Sequence, residues 1–168
     1  MKSKKIYYSF FIIYVIMLII VDQLTKYIVR VNLADGDLNI IPGVLQLHLL
    51  FNTGAAFSIL TGKTLFFYIL TPIVACVIIV FFLKLPLEKK YQPMAFCLAT
   101  LVAGAFGNYI DRLAFGKVTD FIYFSLINFP VFNVADIYVT LSVIFMLSLI
   151  LFKYKDEDLS KWLKKKKA

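Results

Sequence analysis

Four apolar runs, each long enough to cross a bilayer, constrain this chain more than anything else in it. They lie at about residues 6–29, 64–83, 93–112 and 132–152. A hydrocarbon layer about 30 Å thick takes about 20 apolar residues of helix, and each run meets that length. A chain of 168 residues that is 61% hydrophobic, with 17 Phe and 10 Tyr, is too small to hide so much apolar surface in an aqueous core. Lipid must be the solvent for much of it. The sequence therefore predicts an all-α integral membrane protein with four transmembrane helices, in a single domain over residues 1–168. Pro72 falls inside the second run, where a membrane helix tolerates it. The first run sits where a secretory signal would, but its apolar stretch is too long and no small-residue cleavage site follows. It is expected to stay as a helix.

Charge sets the expected orientation. The net charge is +8, and the basic residues cluster in "MKSKK", "KLPLEKK" and "KYKDEDLSKWLKKKKA". No soluble module with stacking aromatics accompanies them, so nucleic acid is not the expected partner. Basic segments stay on the cytoplasmic side. Both termini and the loop at 84–90 are thus expected inside, and the segments at about 30–63 and 113–131 outside. The lysine-rich tail is read as an inside marker that touches anionic membrane lipid. Cys76 and Cys97 lie in apolar runs without metal-ligand spacing and read as inert core thiols. No His/Cys cluster is present to hold a metal, and no cofactor is expected.

The outer segments have patterns of their own. In "VLQLHLLFN", Leu45, Leu47 and Leu49 alternate with Gln46 and His48, the period of a half-buried strand. A small β element on the membrane surface is expected there, turning at "NTGAAFS", with His48 a surface-strand residue rather than a ligand. The stretch "VTDFIYFSLINFPVF" is too apolar for a solvated loop. It is expected to lie in the membrane interface, partly as helix.

Polar residues then gather at one depth. Asp136 is the only charged residue in the fourth run, and a carboxylate near a bilayer's centre costs about 2.5–3.5 kcal/mol. The expected topology puts Asp22, Asp111, Asp120 and Asp136 at the same outer level, with Asn52, Asn108, Arg112 and Asn133. Asp22 and Lys26 stand at i, i+4 and can pair on one helix face. Asp111 is beside Arg112, but adjacent helical residues point apart. Asp120 and Asp136 have no evident basic partner except Lys117, three residues before Asp120. Brought together, two such carboxylates cannot both ionise easily. One keeps a proton while the other can take one from water, which is the machinery for hydrolysing an amide.

Plainer readings stand beside this one. "NVAD" has the form of a helix N-cap pair, Asn133 with Asp136 three residues on. "NYID" repeats the spacing at the exit end of a helix, where capping does not explain it. Asp22 with Lys26 suits a structural pair. Ala99, Ala103 and Gly107 form a four-residue stripe suited to close helix packing.

"DQLTK" at 22–26, "NTGAAF" at 52–57, "GAFGNYIDR" at 104–112, "VTDF" at 118–121 and "FNVAD" at 132–136 together resemble the five motifs of lipoprotein (type II) signal peptidases. All five occur in order, over nearly the whole chain. The resemblance implies a bacterial inner-membrane aspartyl endopeptidase with four transmembrane helices, an extracytoplasmic β-cradle and a short interfacial helix. Such enzymes remove the signal peptide from diacylglyceryl-modified prolipoproteins, cutting just before the lipidated lipobox cysteine, and are the target of the cyclic peptide globomycin. It implies a catalytic dyad at Asp120 and Asp136. Asn52, Gly54, Asn108, Arg112 and Asn133 are implied to hold substrate backbone or support the dyad, with Asp111 as support. Asp22 and Lys26 are implied to be accessory or structural. A monomer suffices, since one chain carries the whole site.

Two rival functions are carried forward. A serine–lysine peptidase would use Ser58 and Lys26. A small proton-coupled carrier would use Asp136 and Asp22 as relay groups, although no internal repeat is found and the charges lie near one face rather than at mid-bilayer.

Overall fold

The structure, a computed structural model, describes residues 2–34, 36–54 and 64–163. Four long helices run through it: α1 (Lys2–Asn32), α2 (Thr64–Lys84), α3 (Gln92–Phe115) and α4 (Val134–Phe152). All four have the length and hydropathy of membrane spans, at the places the apolar runs predicted. Their outward faces carry exposed apolar side chains, among them Ile13, Ile69, Phe145 and Leu151. In water that coat would be a liability; in lipid it costs nothing.

The third helix is the hub. Half of its span is buried inside the protein, against 11% for each of the other three. Small side chains make this possible. Ala99 and Ala103 are buried, and a methyl group at Gly107 would stand 2.6 Å from Asp22 Oδ2 on α1. The expected packing stripe is thus present. Gly104 adds a second close line, on the α4 side: a methyl there would lie 2.7 Å from the Ala135 carbonyl oxygen.

Beyond one end of the bundle lies an antiparallel sheet, β1 (Leu38–Ile41), β2 (Leu45–Asn52) and β3 (Val118–Tyr123), in the order β1-β2-β3. β2 is the strand that the alternation predicted. Asn52 Oδ1 accepts the Gly54 amide at 2.8 Å, so a turn begins at Asn52; the rest of the expected "NTGAAFS" turn falls outside the described residues.

The segment at 113–131 differs from expectation. Its main element is a strand, and its helical content is one 3-10 turn at Ser125–Ile127. The reason is backbone accounting: an apolar segment must hydrogen-bond its amides somewhere, and the free edge of β2 takes them. Leu50 pairs with Asp120 and Asn52 with Val118. α3 stops just before, at Gly116, whose φ of 71° ends the helix while its amide bonds the Arg112 carbonyl. Phe132 then returns to bond Ile122 in both directions, at 2.8 and 3.0 Å, which delivers the chain to the start of α4.

The opposite end of the bundle is closed by a short helix, α5 (Asp156–Leu163), that the charged tail did not suggest. The Trp162 indole is buried and donates to the Phe81 carbonyl at 2.9 Å. Tyr154 stacks on Tyr91, Lys161 pairs with Glu88 and Lys90 with Asp158. Both cysteines are free, but only Cys97 is half-buried. Cys76 is exposed on α2, which corrects its expected place in the core: this apolar helix turns that face to lipid.

Candidate active site

The site is built around the first turn of α4. Asn133 is the N-cap: its Oδ1 accepts the Asp136 amide at 3.0 Å, and Asp136 Oδ2 accepts the Asn133 amide at 3.1 Å. The capping reading of "NVAD" is therefore correct as far as it goes. It leaves over one oxygen of Asp136 and the whole amide group of Asn133. Those groups face the rest of the site.

Asn133 Nδ2 donates to Asp120 Oδ1 at 2.6 Å, and Asn52 Nδ2 to Asp120 Oδ2 at 2.9 Å. One asparagine side chain thus spans the two aspartates, capping Asp136 with its oxygen and holding Asp120 with its nitrogen. Strand pairing explains the Asn52 contact, since β2 lays Asn52 and Leu50 alongside Val118 and Asp120. Asp120 is 2% exposed. Burial raises its pKa to about 6 from an ordinary 3.8, and the neighbouring Asp136 charge pushes the same way against the opposing amide bonds from Asn52 and Asn133.

Asn108, on α3, links this pair to the layer behind it. Its Oδ1 accepts from Lys26 Nζ at 2.9 Å and from Asn133 Nδ2 at 3.0 Å, and its Nδ2 donates to Asp136 Oδ1 at 2.7 Å. The two donors fix the amide's orientation, because an ammonium can only donate. Lys26 therefore aims the Asn108 NH2 group at Asp136.

Behind Asn108 is a buried ionic cluster. Lys26, Asp22 and Asp111 are all fully buried. Lys26 Nζ lies 2.9 Å from Asp22 and 3.6 Å from Asp111, with Arg30 3.8 Å from Asp111. Two carboxylates meet two cations, so no charge is left uncompensated. The cluster also positions backbone. Asp22 Oδ1 accepts the Ala135 amide at 2.9 Å, pinning the start of α4, and Asp111 Oδ2 accepts the Thr119 amide at 2.8 Å, pinning β3 next to Asp120. This explains the charge at the end of "NYID" that capping could not.

Asp111 does not pair with Arg112. That guanidinium lies 4.6 Å over the Phe67 ring and donates to the Gly54 carbonyl at 3.1 Å. Lys117, the candidate partner for Asp120, lies over the Phe51 ring instead. Asn52, Gly54, Asn108, Arg112, Asp120 and Asp136 line one cleft of about 520 Å³. Its other wall is apolar, with Phe129, Phe132, Ile137, Val139 and Leu141. Such a cleft can hold an extended chain against a polar wall while accepting greasy side chains on the other.

Several supporting residues escaped the sequence reading. Arg30 Nη1 donates to Thr119 Oγ1 at 2.8 Å, Gln23 Nε2 bridges Asp22, Asp111 and the Gly107 carbonyl, and Tyr68 donates to the Arg112 carbonyl. Arg30 had a signal: it stands one turn after Lys26, on the same face as the Asp22–Lys26 pair. Ser58, the rival nucleophile, lies outside the described residues, and its supposed base Lys26 is committed to Asp22 and Asn108.

Residues 14–152 match the sequence model of the family described as signal peptidase (SPase) II. The lipoprotein signal peptidase of Staphylococcus haemolyticus is 40% identical over 153 residues, covering 89% of this chain and 95% of its own. That of Staphylococcus epidermidis is 38% identical, covering 86% and 91%. A solved structure described as a bacterial membrane enzyme superposes with a TM-score of 0.76 at 34% identity, over 95% of this chain and 94% of that one.

Proposed function

This chain belongs to the signal peptidase II family, and from that membership we propose that it removes signal peptides from diacylglyceryl-modified bacterial prolipoproteins, cutting just before the lipidated cysteine. The observation that carries the catalytic part is the Asn133 side chain, which joins Asp120 and Asp136 at the polar wall of the cleft. Two carboxylates sharing that position act as an acid–base pair. One takes a proton from water as the oxygen adds to the carbonyl carbon. The other gives its proton to the carbonyl oxygen. When the tetrahedral centre collapses, the first gives the proton it took from water to the leaving amine, and the second takes back a hydroxyl proton as the carbonyl re-forms. Which aspartate starts protonated is a property of the pair. No metal or cofactor is called on.

The remaining groups divide the work. Asn52 and Asn133 hold Asp120, Asn108 holds Asp136, and Arg112 with the Gly54 carbonyl offers polar contacts to a peptide backbone. Asp22, Lys26 and Asp111 keep α4 and β3 in place. The arrangement suits a lipidated substrate that cannot leave the bilayer. Basic segments at the far end of the bundle support an inner-membrane protein with both termini cytoplasmic and its site near the extracytoplasmic face. A cyclic peptide of the globomycin type would compete for the same cleft, and one chain suffices for activity.

The test uses the purified protein in lipid with a diacylglyceryl-modified prolipoprotein, following signal-peptide release by gel shift. Asp120→Asn and Asp136→Asn should each fold, bind globomycin and lose cleavage by at least about a hundredfold, the scale of removing an acid–base group. Ser58→Ala should still cut. Near wild-type cleavage by either Asn variant would remove the dyad from the mechanism, and an intact substrate with wild type would favour the carrier reading.

A further inference from the structure

β2 continues past the dyad. The register against β3 shifts between Leu47 and Leu50, so face alternation does not by itself place His48, but Asn52, Leu50 and His48 all line one cavity. Asn52 holds Asp120; His48, four residues back, sits about 13 Å away at the rise of an extended strand. There its Nδ1 lies 2.8 Å from Asp37 Oδ1, and its ring packs beside Tyr123, whose hydroxyl bonds Asn128. These residues line a second cavity of about 490 Å³. Asn52 and the segment at 129–131 line both cavities, so the second is a continuation of the cleft beyond a shared wall.

The chemistry of this cavity is decided by Asp37. A carboxylate only accepts, so the His48 proton sits on Nδ1, and in the neutral ring Nε2 is left as an acceptor. The pair then presents an anionic carboxylate and a ring lone pair. With the ring doubly protonated beside the ionised carboxylate, the pair is neutral. The side chains of His48 and Asp37 are 39% and 45% exposed, so an incoming group can reach them. Lys117 does not cancel their charge, for it lies over Phe51 and outside the lining of this cavity.

Direction follows from the walls. The apolar side of the catalytic cleft, formed by Phe129, Phe132 and the α4 residues Ile137, Val139 and Leu141, suits the signal peptide. The sheet leads away from the helices, so the chain that crosses it is the part beyond the cleaved bond. An extended peptide covers the distance from Asp120 to His48 in about four residues. Resting on the peptidase reading above, we propose that Asp37 and His48, flanked by Tyr123, form a subsite. It favours a basic side chain at the third to fifth residue beyond the cleaved bond.

The experiment compares two diacylglyceryl-modified substrates that differ only in carrying Lys or Glu at those three positions, cut by the full chain in lipid nanodiscs. Wild type should prefer the Lys substrate in kcat/KM by about fivefold, the scale of a half-exposed ion pair. Asp37→Asn should bring that ratio close to one, whereas His48→Gln, which leaves the Asp37 carboxylate in place, should keep it above one. Because the ratio compares two substrates on one protein sample, partial loss of folded protein cancels out. A wild-type ratio of one, or a ratio that survives Asp37→Asn, overturns the subsite and leaves the peptidase standing. If wild type cuts neither substrate, the peptidase reading falls and the subsite with it.

Discussion

Asp136 is held by the start of its own helix and by Asn108: one oxygen caps α4 while the other accepts the Asn108 amide. Asp120 is held differently, by two side-chain amides in a buried strand. Its pKa of about 6, against 3.8 unfolded, has a consequence for stability. A carboxyl raised in the folded state stabilises fully below its unfolded pKa, and that contribution is lost as pH rises through the folded value. The wild type should therefore lose ground to Asp120→Asn between about pH 4 and pH 7, with no further change above. Thermal unfolding of both proteins across that range reads the difference directly. A gap that stays constant with pH would mean that burial does not raise this group.

At the scale of elements, α3 sets the geometry because its neighbours come so near it. Gly107 admits Asp22, which in turn caps Ala135, so helix packing and the start of α4 are one arrangement. Gly104→Ala and Gly107→Ala should each lower stability by about 1–3 kcal/mol, the range for overpacking a close contact. The Gly104 variant meets a backbone carbonyl that cannot rotate away. The Gly107 variant displaces a carboxylate and should in addition disturb the cap. Denaturation in detergent measures both. Gly116 makes the contrast: a methyl there meets nothing, and only its φ of 71° resists substitution.

The whole molecule has a working end and a locking end. The sheet, the dyad and the ionic cluster occupy one; α5 closes the other around Trp162, Tyr154 and Tyr91. Removing a buried ring leaves a cavity, and Trp162→Ala should cost about 3–5 kcal/mol, although the ring is far from the cleft. The expected result is a marked fall in thermal midpoint while kcat/KM at low temperature stays within about twofold, since the missing interaction lies outside transition-state binding. Equal losses in both would mean that the two ends are coupled through the helices.

The sequence alone determined what depends on local period and on solvent. Four runs of about 20 apolar residues leave no stable alternative to four membrane helices. The alternation at Leu45, Leu47 and Leu49 gave β2, and the expense of Asp136 in an apolar run pointed to the site. Partners were another matter. Residues far apart in sequence meet only when helices pack and strands register, so no local pattern could say that Lys26 reaches Asn108 and Asp111, that Arg112 turns to Phe67 and Gly54, or that "VTDFIY" joins β2 instead of forming interfacial helix. The Asp37–His48 cavity likewise exists only because β3 and the 129–131 segment fold back beside β2. Hydrophobicity chose the helices; the need to satisfy every buried donor, acceptor and charge chose how they meet.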